Sequence, residues 1–323
     1  MMRRLIGQLP NWARAEHPVL RYELGRSARP PLRVRLLRAF LVVVIGLVLL
    51  GGSYLIATDL LRQPLPTGLT APLNEILFWP LLAVQVIMGA MALTLTANVV
   101  GDEIRRQTWD NLRATESGAE LTLRARWALV FYRVRGLLAL IIVLRVVLIV
   151  GILYDLTAFE GRYLSLLITG IEPTIPEWLG VLMVSFLMTS ALLLPLTAVG
   201  FDASLGLWIS AVIQQRTYST LVQGLFILIR IGITAGLLWF TTQWLVVGSL
   251  PATDVGSWAL LFGYGAIGDW GLAFLNLQRY SDIWTLVPYG IFLGAALLLF
   301  ALVQAAVADQ VLVLAVRRAQ RRG

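Results

Sequence analysis

The chain has 323 residues, of which 58% are hydrophobic and only 14% are charged, and its mean hydropathy is +0.79. Every basic residue is arginine, the only histidine is His17, and the chain contains neither lysine nor cysteine. These absences exclude a P-loop lysine, a Schiff base and the usual zinc and iron–sulfur ligand sets, so we expect no cofactor and no ATP hydrolysis by this chain alone. Because soluble proteins are roughly 45–50% apolar, the composition predicts an all-α, polytopic membrane protein that is not an enzyme.

The N-terminal 38 residues contain nine arginines. Residues 17–40 alternate between apolar and basic side chains and are interrupted at Pro30 and Pro31. This pattern predicts an amphipathic helix that lies along the membrane surface and then turns into it. Its arginines favour anionic lipid head groups.

Six apolar runs are long enough to cross a hydrocarbon core of about 30 Å, which requires about 20 helical residues. The predicted spans are residues 39–58, 76–100, 136–154, 178–212, 217–247 and 283–308. They form one transmembrane domain, 39–316, between the N-terminal segment 1–38 and a basic tail, 317–323. The fourth run is too long for one straight span, and Pro195, Gly200 and Asp202 predict a kinked or broken helix there.

The distribution of arginine predicts the orientation. If the N-terminus is cytoplasmic, the segments on that side contain 21 arginines and those on the other side contain three. Both termini are therefore expected in the cytoplasm. Residues 255–277 are apolar but contain glycines and Asp269, and a crossing there would move the basic residues 317–322 outside. We therefore expect a re-entrant or interfacial element on the outer face, before the last span.

A crowded polar segment, residues 101–120, separates the second and third spans. Read as a helix, it carries one apolar stripe: Ile104, Thr108, Trp109 and Leu112. Ser117 and Glu120 then form a capping-box pattern, which starts a second helix that continues into the third span. The pattern alone fits either a lever that contacts a soluble partner or a solvated connector whose charges only set the topology.

Residues 103–115 resemble the "E…GTLE.LL.TP" signature of ABC-2 type transporter permeases. The matching positions are Glu103, Thr108, Asp110, Leu112 and Thr115. Gln107 stands where glycine is usual, Trp109 replaces an aliphatic residue, and Glu116 stands where proline is usual. Residues 17–26, "HPVLRYELGR", resemble the family's N-terminal "NPVL..E" segment, and the family also has six spans, cytoplasmic termini and a re-entrant element before the last span.

The resemblance implies a permease subunit in a bacterial plasma membrane whose cytoplasmic coupling helix, between spans two and three, contacts a separate ABC ATPase. The implied coupling residues are Glu103, Ile104, Arg106, Thr108, Trp109, Asp110, Leu112 and Thr115. We expect Trp109 to anchor the helix in a groove on the ATPase, with charges at the rim. The other implied partners are a second permease, identical or paralogous, and membrane lipids, but not nucleic acid.

Three ionisable residues, Arg145, Asp202 and Arg230, are predicted to lie near mid-bilayer. Because a lone charge is costly there, Asp202 should pair with one or both arginines. Such a group is either a polar site on a transport path or an ion pair that locks helices together. An arginine that remained unpaired and faced a cavity would favour a cargo with an anionic head group.

The function that fits these observations is a permease that exports or flips a lipid-like, glycan or amphipathic substrate, powered by a separate ATPase. One alternative is a membrane scaffold subunit that does not transport. Another is a secondary transporter driven by ions through Asp202. The sequence leaves the substrate and the direction of transport open.

Overall fold

The fold is helical throughout the described part of the chain. The computed structural model describes residues 10–14, 17–25, 70–105, 107, 109, 118–168, 177–213, 215–243, 255–272 and 287–321, together with seven single residues between 33 and 51. Within these ranges there is no strand. Five helices there are long and apolar enough to cross a membrane. The chain is therefore a polytopic helical membrane protein.

Eight α-helices are numbered here in chain order. They are α1 (Pro18–Gly25), α2 (Thr70–Leu95), α3 (Val99–Arg105), α4 (Gly118–Ile168), α5 (Glu177–Val212), α6 (Arg216–Thr241), α7 (Val255–Gly263) and α8 (Val287–Gln320). A 3-10 turn, Asn11–Ala13, precedes α1, and a π-helical turn, Tyr264–Gly268, follows α7. The predicted second to sixth spans fall on α2, α4, α5, α6 and α8. Most of the predicted first span, 39–58, lies outside the described residues.

Two helices are longer or less interrupted than the sequence predicts. α4 begins at Gly118, as the capping pattern predicts, contains no proline and runs for 51 residues, beyond the end of the predicted span at residue 154. It is roughly 76 Å long at 1.5 Å per residue. α5 runs unbroken for 36 residues across Pro195. Of the two expectations, a broken helix was wrong and a kinked helix stays a prediction. A proline removes one helical hydrogen bond, and packing against its neighbours keeps α5 helical.

The core is centred on α5, which packs along α8 and also contacts α2, α4 and α6. Small residues permit these close approaches. A Cβ added to Gly206 of α5 would lie 2.7 Å from the carbonyl oxygen of Leu93 on α2, and one added to Gly294 of α8 would lie 3.0 Å from the Cβ of Phe186 on α5. Close backbone approach at small residues is typical of helix packing in membranes.

Helix α6 has an apolar exposed surface and a more polar buried one. Its buried residues are Ser219, Gln223, Thr234 and Thr241. Large aliphatic and aromatic side chains such as Leu221, Leu228 and Trp239 are exposed. This is the reverse of a soluble amphipathic helix, as expected where the surroundings are hydrocarbon.

The close approach of α8 to α5 predicts that Gly294→Leu destabilises the protein. A side chain has no room there, and overpacking typically costs about 1–3 kcal/mol. Gly232→Leu on α6 is the matched control, since no atom lies within 4 Å of its added Cβ. Thermal unfolding of the purified protein should show a lower midpoint for Gly294→Leu only. Equal midpoints would contradict the packing described here.

Candidate functional site

The three predicted intramembrane charges do not form one group. Arg230 of α6 donates through Nη1 to Oδ1 of Asp202 on α5. The Asp202 residue is only 3% exposed, while a quarter of the Arg230 side chain is exposed. The Trp270 ring lies 4.9 Å from the Arg230 guanidinium carbon, close enough for a cation–π contact. Asp202 therefore pairs with one arginine, Arg230.

Gly89 of α2 faces this ion pair. A Cβ at this position would lie 2.9 Å from Asp202 Oδ2 and 3.4 Å from the Arg230 guanidinium carbon. Asp202 Oδ2 is buried and has no hydrogen-bond partner among the described residues. The absence of a side chain at Gly89 thus gives the ion pair its space.

Arg145 of α4 is completely buried and binds backbone carbonyls instead of Asp202. Its Nη1 donates to the carbonyl oxygens of Ala191 and Trp270, and its Nη2 donates to that of Asp269 at 3.1 Å. The Ala191 carbonyl would ordinarily accept the N–H of residue 195, but Pro195 has none. Pro195 therefore leaves Ala191 with a free acceptor, which Arg145 fills.

Gln85 and Asp269 complete the environment of Arg145. With its amide oriented to satisfy both neighbours, Gln85 accepts from Arg145 Nη2 at 2.8 Å and donates to the Asp269 carbonyl at 2.8 Å. The Asp269 residue is fully buried, and its Oδ1 accepts the backbone N–H of Gly271 at 3.0 Å. Gly271 has φ +79°, and its added Cβ would lie 3.2 Å from Ala191 Cα, so glycine permits both the turn and its contact with α5.

Sequence reasoning missed Gln85, Asp269 and Trp270 as members of this centre. Asp269 was assigned to the outer element, although an acid within an apolar run was a usable signal. In α2 the usable signal was Gln85, a polar residue within an apolar run. Trp270 contributes its carbonyl oxygen to Arg145 and its ring to Arg230. The position of these two groups could not be predicted from residue type.

A cavity of about 480 Å³ lies beside the ion pair, between α2, α5, α6 and α8. Apolar side chains such as Val86, Phe226 and Val303 form most of its walls. Asp202 and Arg230 are the charged residues among its described lining. The volume falls within the roughly 300–1,000 Å³ of small-molecule sites.

The polar segment after α2 departs from a single helix. Helix α3 ends at Arg105, and Gln107 takes a left-handed conformation with φ +57°. Glu103 accepts from Arg126 Nη2 of α4 at 3.1 Å, and both side chains are mostly buried. The backbone N–H of Val100 donates to Ser210 Oγ of α5 at 2.9 Å. The start of the segment is thus fastened to two long helices.

Trp109 does not lie on an exposed stripe. It is 3% exposed and packs in an apolar cluster with Leu123 of α4, Leu207 of α5 and Ala315 of α8, against which Ile104 also packs. Ile104 is partly buried in the same cluster. The contact of Ile104 and Trp109 with a partner therefore stays a prediction, and the burial of Trp109 in the bundle is an alternative explanation for the apolar stripe.

Five of the sequence-predicted coupling residues lie outside the described residues: Arg106, Thr108, Asp110, Leu112 and Thr115. Compared with known proteins, the chain matches no family model, no curated protein and no solved structure.

The ion pair predicts a large effect of Asp202→Asn. Leaving Arg230 without its counter-charge should destabilise the protein by about 3 kcal/mol or more. Asp309→Asn, at an exposed position of α8, should change stability by less than about 1 kcal/mol. Replacing both partners, as Asp202→Leu with Arg230→Met, should recover part of the loss. Denaturant unfolding of the four proteins would measure this, and similar values for Asp202→Asn and Asp309→Asn would contradict the pairing.

The contact between Arg145 and Ala191 predicts an interaction between distant positions in the sequence. Arg145→Met should destabilise the protein because buried carbonyls lose their donor. In that background, Pro195→Leu should be less harmful than in wild type, because leucine supplies an N–H to the Ala191 carbonyl. A double-mutant cycle on unfolding free energies should give a coupling of about 0.5–3 kcal/mol. Strict additivity would refute this role of Pro195.

Proposed function

We propose that the chain is the permease subunit of an ATP-driven ABC-2 type transporter in a bacterial plasma membrane. Both termini would be cytoplasmic, and the protein would export or flip a lipid-like, glycan or amphipathic substrate. The observation that carries the proposal is the attachment of the polar segment to α4 through Glu103 and Arg126. A segment fastened in this way can pass a displacement from a soluble partner to a membrane helix.

The conformation of Gln107 supports the resemblance on which the proposal depends. In the family signature this position is usually glycine, the residue that takes positive φ at least cost. In this chain Gln107 has φ +57° although it is not glycine. The positive φ at Gln107 is thus compatible with a family position that is usually glycine.

Helix α4 offers a continuous path from the segment to the centre of the bundle. Arg126 and Arg145 are 19 residues apart on the same helix, which is roughly 28 Å of axial distance. Arg145 in turn holds the carbonyls that follow the π-helical turn. Motion of an ATPase against the polar segment would thus reach the turn at residues 264–272 through one rigid element.

The short helix α7 and its π-helical turn support a re-entrant element before the last span. Together they cover 14 residues, Val255–Gly268, which is fewer than the about 20 needed to cross. Asp269 and Trp270 then turn within the buried interior of the bundle. Such backbone is compatible with a membrane where protein shields it from lipid.

The proposed partners are a separate ABC ATPase and a second permease, either an identical copy or a paralogue. Membrane lipids would contact the exposed apolar faces, and α1 belongs to the proposed N-terminal interfacial segment. In this arrangement two permeases form the pathway, and closure of the ATPases on nucleotide drives it.

Reversal of the Glu103–Arg126 contact tests the coupling role. Glu103→Arg places two cations together and should reduce the permease-stimulated ATPase activity of the reconstituted complex severalfold. Combining Glu103→Arg with Arg126→Glu should restore much of it, since the opposite charges are present again. The measurement is ATPase activity with and without permease, together with recovery of the complex.

The matched control is Glu120→Gln, which removes a partly exposed i, i+4 contact with Arg124. It should leave activity near wild type. Failure of the chain to associate with any ABC ATPase would reject the transporter proposal and favour a scaffold.

Asp202 favours a second candidate, an ion-coupled secondary transporter. A buried carboxylate beside a cavity is a group that a coupling ion could use. Transport in proteoliposomes that follows an ion gradient without ATP would support this alternative. Dependence on ATP and an ATPase subunit would exclude it.

A further inference from the structure

The cavity beside the ion pair opens laterally near the middle of the long helices. Three of its lining side chains, Ile229, Ile233 and Val303, are 43–49% exposed. They lie on α6 and α8, whose outer faces are apolar. A molecule dissolved in the hydrocarbon could therefore enter the cavity from the side.

The described lining of the cavity carries no net charge. Arg230 is matched by Asp202, while Arg145 does not line the cavity and is fully buried among carbonyls. An ionic head group would lose its hydration there without finding an opposite charge. The condition under which an anionic cargo was expected, an unpaired arginine that faces a cavity, is not met by these residues.

The polar groups offered to the cavity are mainly hydrogen-bond donors. Arg230 has five N–H groups, and its contact with Asp202 uses Nη1. Gln304 accepts from Thr197 Oγ1 through Oε1 at 2.7 Å, which leaves its amide N–H groups as donors. The free oxygen of Asp202 is buried against Gly89. A complementary ligand therefore presents an acceptor oxygen.

We propose that this cavity binds an uncharged amphiphile taken from the surrounding lipid. Its hydrocarbon chain lies among the apolar walls, and an ester, amide or ether oxygen accepts a hydrogen bond from Arg230 or Gln304. As a statement about cargo, the proposal rests on the transporter function; as a statement about binding, it needs neither ATP nor an ATPase.

The first test compares two probes that share acyl chains and differ in charge. The full chain, in phosphatidylcholine nanodiscs without ATPase, is exposed to a photoactivatable diacylglycerol or to the matching phosphatidic acid at equal mole fraction. Diacylglycerol should label the protein at least about fivefold more, since a buried uncompensated charge is disfavoured. Equal labelling, or stronger labelling by phosphatidic acid, would overturn the proposal.

A pair of neighbouring variants locates the site. Val303 lines the cavity, whereas Leu302, the adjacent residue of α8, is 59% exposed and does not line it. Val303→Trp fills the cavity and should reduce diacylglycerol labelling about tenfold, while Leu302→Trp should stay within about twofold of wild type, because a cavity-filling side chain removes the ligand's space. Equal effects of the two variants would place the label elsewhere and refute the proposal.

A charge change tests where the head group lies. Folded Asp202→Asn leaves Arg230 without its counter-charge, so the preference should reverse toward phosphatidic acid. The double variant Asp202→Asn, Arg230→Gln is uncharged and should prefer diacylglycerol again. A folded Asp202→Asn protein with unchanged preference would refute the placement; if this variant does not fold, the Val303→Trp and Leu302→Trp pair decides the question.

The binding and transport proposals can fail separately. Specific labelling without ATP-driven transport would retain the cavity ligand and reject the transporter. ATP-driven transport by a protein that shows no specific labelling would retain the transporter and reject this ligand.

Discussion

Polar groups that lie within a membrane must be satisfied by the protein itself, and Arg145 meets this requirement for several elements at once. Its guanidinium extends from α4 and binds the carbonyl of Ala191 in α5 and those of Asp269 and Trp270 after the π-helical turn. Gln85 adds α2 to the same network. One side chain therefore helps to fix the position of the turn relative to three long helices, and these acceptors offset the cost of its burial.

The charges of the two intramembrane arginines, Arg145 and Arg230, are compensated in different ways. Arg230 has a carboxylate partner and an aromatic ring beside it, whereas Arg145 makes its hydrogen bonds to backbone carbonyls and lies near the buried Asp269. The first arrangement cancels a charge next to a cavity, and the second fastens backbone. Because Gly89 has no side chain, the ion pair can lie directly against α2. Arg145 and its carbonyl partners thus connect backbone segments, while the pair of Arg230 and Asp202 borders the cavity.

Much of the fold could be predicted from the sequence, because a helix that crosses the membrane interior must be apolar and about 20 residues long. The length of the apolar runs predicted the five long helices, and the capping pattern at Ser117 and Glu120 predicted the start of α4 within a residue. Asp202 was expected to pair with an arginine. The sequence could not predict which arginine pairs with Asp202, since Arg145 and Arg230 are expected at similar depths. The packing of the helices decides between them.

Other features left weaker signals in the sequence. Every residue has a carbonyl, so the acceptors of Arg145 have no signature beyond the missing N–H of Pro195. Gln107, two residues after the end of α3, has a positive φ, a conformation that its residue type does not indicate. Helical periodicity grouped Trp109 with Ile104 correctly, but the same pattern fits burial in the bundle and contact with a partner equally well. The orientation of that pair was therefore decided by tertiary packing.

The attachment of α6 has a mechanical consequence. Two of its polar contacts to neighbouring elements, Arg230 with Asp202 and Thr234 Oγ1 with the Gly268 carbonyl at 3.4 Å, lie one turn apart. Much of the remaining surface is apolar and exposed, and lipid tails are about as good a neighbour for it as another helix. Sliding of α6 along its own axis would pull Arg230 away from Asp202. Tilting of α6 about the level of these two contacts would mainly exchange one apolar neighbour for another. Helix α6 is therefore stiff against sliding and compliant against tilting, with its pivot at the wall of the cavity.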